Sequence, residues 1–170
     1  MAPPPTPRSP PEPSSTPRTR RGPAYAAAAL AWASAAVSLY WTLGGTRLLD
    51  TVGGAVEDLA RERSAPAVAL GAVTVLLKAG TGLLAVALAR EHGGRWRRWV
   101  VRAGAAAGGV LVAWGGANVV VGGLVLSGVV AASSSVDEHA LRWHVYLWDM
   151  WFLVWGALLT VAVARHRRRR

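Results

Sequence analysis

Cysteine is absent from the 170 residues, lysine and phenylalanine occur once each, and acidic residues number nine. Without a thiol, a disulfide-stapled secreted module and a Cys-ligated zinc site are both excluded. Charged residues make up 16% of the chain against 52% apolar ones. That balance excludes a wholly disordered polymer, which lacks the apolar surface to offset chain entropy. The shortage of acid leaves a net charge of +10. A basic nucleic-acid binder spreads such charge over a polar surface, whereas a mean hydropathy of +0.29 with nine tryptophans points to lipid.

What is present falls into zones. Proline fills eight of the first 17 positions, so residues 1–23 read as a solvated, Pro/Arg-rich disordered cytoplasmic tail. Four apolar runs follow, at 25–43, 66–89, 103–132 and 143–164. Each reaches the ~18 residues needed to cross a hydrocarbon core, and none shows the alternation of a strand. The first run ends in Tyr40-Trp41, which suits a retained anchor better than a cleaved signal. The third is long enough that it must tilt, bend at its glycines or leave the bilayer. The expected fold is all-α, a four-helix transmembrane bundle spanning residues 24–165, with 166–170 as a basic cytoplasmic tail.

Arginine sets the orientation. The N-terminal tail, the 90–102 connection and the C-terminal tail hold 14 of the 18 Arg residues; Arg47, Arg61, Arg63 and Arg142 lie in the other two connections. Positive charge stays inside, so both termini are expected in the cytoplasm of a multi-pass cell-membrane protein. Nucleic acid is not an expected partner, because topology accounts for the same charge. The lipid bilayer is one, with a homo-oligomer or a partner membrane protein as a further option.

Between the first two runs, Leu49, Val52, Val56 and Leu59 recur at helical spacing, with Glu57, Asp58, Arg61 and Glu62 on other faces. They predict a short amphipathic outer helix, lying on the outer leaflet or acting as a lid over the bundle mouth. Pro66 marks the start of the next helix. In the third run, Gly108-Gly109, Gly115-Gly116 and Gly122-Gly123 repeat every seven residues and form a packing groove. The first run offers a matching small-residue stripe, Ala27, Ala31, Ser34 and Ser38.

The intramembrane polar residues are the candidate site. Lys78 falls at the middle of the second run, flanked by Thr74 and Thr81; Asn118 falls at the middle of the third, and Asp149 lies some way into the fourth from its outer end, a little above the midplane. Buried Lys and Asp each cost about 2.5–3.5 kcal/mol at a helix centre, so the two are expected to pair. Lys, unlike Arg, can lose its proton when desolvated, so the pair reads either as a structural staple or as a proton- or ligand-handling site. On a regular helix, Trp148, Trp151 and Trp155 share a face with His144, while Tyr146, Phe152 and Gly156 lie nearer Asp149. A quaternary-amine cage of these rings is a further option.

Two stretches, Ser38-Leu39-Tyr40-Trp41-Thr42-Leu43-Gly44-Gly45-Thr46 and Arg142-Trp143-His144-Val145-Tyr146-Leu147-Trp148-Asp149-Met150-Trp151-Phe152, resemble a family of small bacterial integral membrane proteins, common in actinobacteria and catalogued as domain of unknown function 3995. The resemblance covers about 24–164. It implies a four-helix membrane protein and marks Tyr40, Trp41, His144, Trp148 and Asp149 as matching positions, while transferring no activity. The family's pattern often carries His where Ser38 stands, so a role resting on that His would be lost here.

Two kinds of function remain. One is a structural or partner-interaction protein with an intramembrane Lys78–Asp149 pair; the other is a transporter of a proton-coupled or cationic small solute. The small multidrug exporters are a poor match, because they rely on an acid in the first span and 25–43 has none. An enzyme ranks last: His144 and Asp149 are expected on different faces, so no catalytic residue, cofactor or metal is expected.

Overall fold

The computed structural model describes residues 18–90, 94–131 and 137–168. It is all-helical, with no strand among the described residues. Helix α1 spans Arg18–Thr42, α2 Gly54–Glu62, α3 Ala65–Ala89, α4 Gly94–Leu126, α5 Glu138–Trp143 and α6 Asp149–Arg167. A π-helical turn, His144–Trp148, joins α5 to α6, so Glu138–Arg167 forms one rod. Four helices are long and apolar enough to cross a membrane: Arg21–Thr42, Ala65–Ala89, Gly94–Leu126 and Glu138–Arg167.

Several boundaries differ from the apolar runs. Helix α1 begins at Arg18, inside the expected tail, because extending a formed helix by a residue costs far less than nucleating one. Residues 1–17, the rest of that tail, lie outside the described residues, as do 169–170. Helix α4 takes in the Arg-Trp segment from Gly94 and stops at Leu126, where the run itself continues to 132. Ser127 and Gly128 end it, with Gly128 at φ +75°. At 33 residues α4 is about 50 Å long, well beyond a hydrocarbon core. Helix α3 starts as expected: Pro66 occupies its first turn, and the Ser64 hydroxyl accepts from the Ala67 N–H.

The rod α5–α6 packs along α4, and α3 packs along α1. Glycine makes the first contact possible. A Cβ at Gly115 would lie 2.6 Å from both the Asp149 carbonyl oxygen and the Leu153 nitrogen, and one at Gly156 would lie 2.7 Å from the Val112 nitrogen. The backbones of α4 and α6 therefore touch. One glycine of each pair lies closest to the rod: Gly108, Gly115 and Gly122 face it, Gly116 meets only Leu153 Cδ1 at 3.8 Å, and Gly109 and Gly123 have nothing within 4 Å. The expected matching stripe on α1 is buried, but α1 lies against α3 and α6. Leu153, Gly156, Thr160 and Val145 occupy the glycine groove.

The core sits at one end. Ala27, Ala28 and Ala31 of α1, Ala85, Leu88 and Ala89 of α3, Val100 and Val101 of α4, and Trp155, Leu159 and Val163 of α6 form a single buried cluster. This is the end that carries the arginine-rich segments. His166 fastens it, since its Nδ1 lies 2.9 Å from the Leu88 carbonyl and its own carbonyl accepts from Arg97. Elsewhere the long helices turn Leu76, Leu77, Leu83, Val110 and Val120 outward, each more than half exposed. An outward apolar surface on this scale matches lipid rather than water.

Candidate functional site

At the opposite end the helices part around a cavity of about 400 Å³. Its wall comes from α1 (Ser34, Ser38, Trp41), the segment into and through α2 (Val52, Val56, Leu59, Arg63), α3 (Thr74, Lys78), α4 (Trp114, Asn118) and the rod (His144, Trp148, Asp149, Phe152). Helix α2 lies directly over it. Such a chamber, mostly apolar with a few convergent polar groups, has the size and character of small-molecule sites.

The sequence-derived cluster is only partly assembled. Lys78, Asp149, Asn118 and Thr74 all line the cavity; Thr81 does not. Thr74, Thr81 and Asn118 each donate to a carbonyl four residues back on their own helix, at 2.9, 2.8 and 2.9 Å. This common back-bond leaves them little need of a partner.

The expected direct Lys78–Asp149 contact is absent among the described residues. Lys78 Nζ donates to Ser38 Oγ at 2.7 Å and lies 5.5 Å from the centre of the Phe152 ring. Helical side chains lean toward their own N-terminus, so the lysine stem rises toward α2. Its target follows from the helix register. Gly71 sits against Thr42 and Gly82 against Trp32, which sets Ser38 roughly level with residue 75, about 4.5 Å above Lys78. A hydroxyl on the adjacent helix is thus nearer than the carboxylate on the rod.

Asp149 instead meets His144, with Oδ2 3.4 Å from Nδ1. On a regular α-helix five residues advance about 140° past a full turn, which separates the two. The π turn closes on residues i and i+5, confirmed by the Asp149 N–H bonding the His144 carbonyl, and rotates them together. The expectation of different faces is therefore corrected. On its other side His144 Nε2 lies 2.7 Å from the Val52 carbonyl. A carbonyl only accepts, so Nε2 carries a hydrogen. Nδ1 is then the ring nitrogen left to face the Asp149 carboxyl.

The positions matching the sequence motif share a task. Trp41 Nε1 donates to the Arg47 carbonyl at 2.9 Å, and the Arg47 N–H donates to Tyr40 Oη at 3.3 Å. Trp148 Nε1 donates to Thr51 Oγ1 at 3.1 Å, beside the His144–Val52 bond. Trp41 and Trp148 meet edge to face at 5.4 Å. The end of α1 and the π turn thus clamp the 43–53 segment that delivers α2 over the cavity. That segment carries positive φ at Leu48 (63°) and Gly53 (61°), with Leu49 fully buried beneath it. Trp148 fills this clamp, Trp151 donates to the Leu30 carbonyl and Trp155 lies in the core, so the three do not form one cage.

Arg63 went unremarked as a site residue in the sequence. It lines the cavity and donates to the Leu43 carbonyl at 3.3 Å. It holds the C-cap of α2 at φ 54°. Among the described residues no three His, Asp or Glu side chains gather to hold a metal.

Fold and cavity together define an all-helical protein with four helices long and apolar enough to cross a membrane. The chain belongs to the family described as "Protein of unknown function (DUF3995)", whose model matches residues 25–159. Comparisons with curated proteins and with solved structures give no match.

Proposed function

We propose that this is a multi-pass cell-membrane protein, both termini cytoplasmic and α2 on the outer side, whose cavity binds and passes a small solute in a proton-linked manner. The observation that carries this reading is the convergence of Lys78, Arg63, His144 and Asp149, from three separate parts of the fold, on one chamber. Ionisable groups at membrane depth are expensive, and they serve function more often than packing. The His144–Asp149 contact supplies a site for one proton inside that chamber. The arginine distribution supports the orientation.

A purely structural or partner-interaction role, stapled by Lys78 and Asp149, is less well supported, since each takes a different partner. A cationic solute is likewise disfavoured, because Lys78 and Arg63 outnumber the one carboxylate on the wall. Homo-oligomerisation through the exposed apolar faces is compatible with either reading. In proteoliposomes carrying a pH gradient, solute-dependent proton flux is expected from wild-type protein and abolished by Asp149→Asn. Wild-type vesicles with no such flux across a panel of organic anions would refute the reading.

A further inference from the structure

We infer that the occupant of this cavity is a singly charged anionic amphiphile drawn from the bilayer, its carboxylate on Lys78 and its apolar body beneath α2. The inference rests on the reading of the cavity as a binding site and adds the chemical class of its ligand.

The charge inventory comes first. The ionisable groups facing the chamber are Lys78, Arg63, His144 and Asp149. Asp149 is engaged by His144. Lys78 has three N–H donors, of which one is taken by a neutral hydroxyl, and no carboxylate of a described residue forms an ion pair with it. Arg63 bonds only a backbone carbonyl within the described contacts. A cation held against a hydroxyl and a ring face, in low dielectric, favours an anion that can take its remaining donors. The Ser38 hydroxyl can donate to the same group while its oxygen accepts from Lys78.

The walls select what accompanies the anion. Above Lys78 the lining turns to Val37, Val52, Val56, Leu59 and Leu70, with Trp41 and Trp114 at the sides. These surfaces accept an apolar body, with Arg63 the other cation of the lining besides Lys78. The route of entry follows from exposure. Val68 and Leu70 of α3 and Trp114 of α4 line the cavity yet are 40%, 56% and 63% exposed. The chamber therefore opens sideways between α3 and α4, onto the same apolar surface as Leu76 and Val110. A ligand with an apolar tail can enter there without crossing water, while a small hydrophilic anion has no such advantage.

The test uses the intact protein in nanodiscs and the quenching of its tryptophans by three brominated probes of equal chain length: undecanoate, undecanol and undecyltrimethylammonium. Trp41, Trp114 and Trp148 lie on the cavity wall, so an occupant's bromine reaches them. Undecanoate is expected to bind about tenfold more tightly than the alcohol, the scale of one charge-assisted hydrogen bond. Lys78→Gln should erase that preference, Lys78→Arg should keep most of it, and Arg63→Gln should reduce it less. Acetate in excess should fail to displace the probe. Equal binding of acid and alcohol, or preference for the ammonium, overturns the charge assignment alone. Displacement by acetate overturns the bilayer source. Saturable quenching by none of the three overturns the cavity reading beneath both.

Discussion

The two halves of this bundle use the same four long helices to opposite ends. Toward the arginine-rich end, α1, α3, α4 and α6 close on one another through Ala27, Ala31, Ala85, Leu88 and Leu159, and His166 ties three of them together. Toward α2, where Gly71 still meets Thr42 and Gly122 still meets Val145, the same helices surround a chamber walled by Trp41, Trp114, Trp148, Phe152 and ionisable side chains. Small residues permit close approach of helices. A membrane bundle can thus be rigid at one end and receptive at the other with no change in its number of helices.

That contrast can be broken at specific positions. The largest effect is expected at Gly115, where α4 and α6 touch through backbone. Gly115→Leu should destabilise by more than about 3 kcal/mol or prevent folding, while Gly109→Ala, facing open space, should change nothing measurable in detergent thermal unfolding. Next comes the closed half: Leu159→Ala, at a fully buried site, should cost about 2–3 kcal/mol, against less than about 0.5 kcal/mol for Leu70→Ala on the cavity wall. A comparable loss at both would mean that the two halves are packed alike.

His144→Ala should cost about 1–2 kcal/mol, felt locally. Hydrogen exchange should quicken across residues 44–53, which lose the Val52 anchor, and stay slow in Ala85–Ala89. The smallest effect concerns Lys78 and Asp149. Their separate partners imply that Lys78→Gln and Asp149→Asn add, with a coupling below about 0.5 kcal/mol. A coupling of 1 kcal/mol or more (estimated on the same scale) would restore the direct pair.

Much of the architecture was legible without coordinates. Long uninterrupted apolar runs have one physical outcome in lipid, but of the pattern Leu49, Val52, Val56, Leu59 only the last two fall in the short helix α2, while Leu49 and Val52 precede it in the turn segment. The site was legible in part of its membership, Thr81 and Tyr40 lying off the cavity wall, but not in its pairing. Lys78, Asp149, Asn118, Thr74, His144, Trp41 and Trp148 do share one chamber. Matching charges, however, could not register that Ser38 lies one helix away at the height a lysine stem reaches. Nor does residue spacing announce a π turn, and that turn alone brings His144 onto Asp149. The glycine pairs mislead in a milder way: spacing treats both members alike, and only helix rotation decides which one meets the rod. Leu48 and Gly53, with their positive φ, carry no periodic signal at all.

If the α2 half is open to a solute and the arginine-rich half is sealed, a single helix can report on both. The chain has no cysteine, so Thr74→Cys on the cavity wall and Ala85→Cys in the sealed core can be compared on α3. With a small, membrane-permeant maleimide on intact cells, position 74 should react and be protected by undecanoate, while position 85 stays inert. Reaction at 85 as fast as at 74, or an inert 74, would contradict the account.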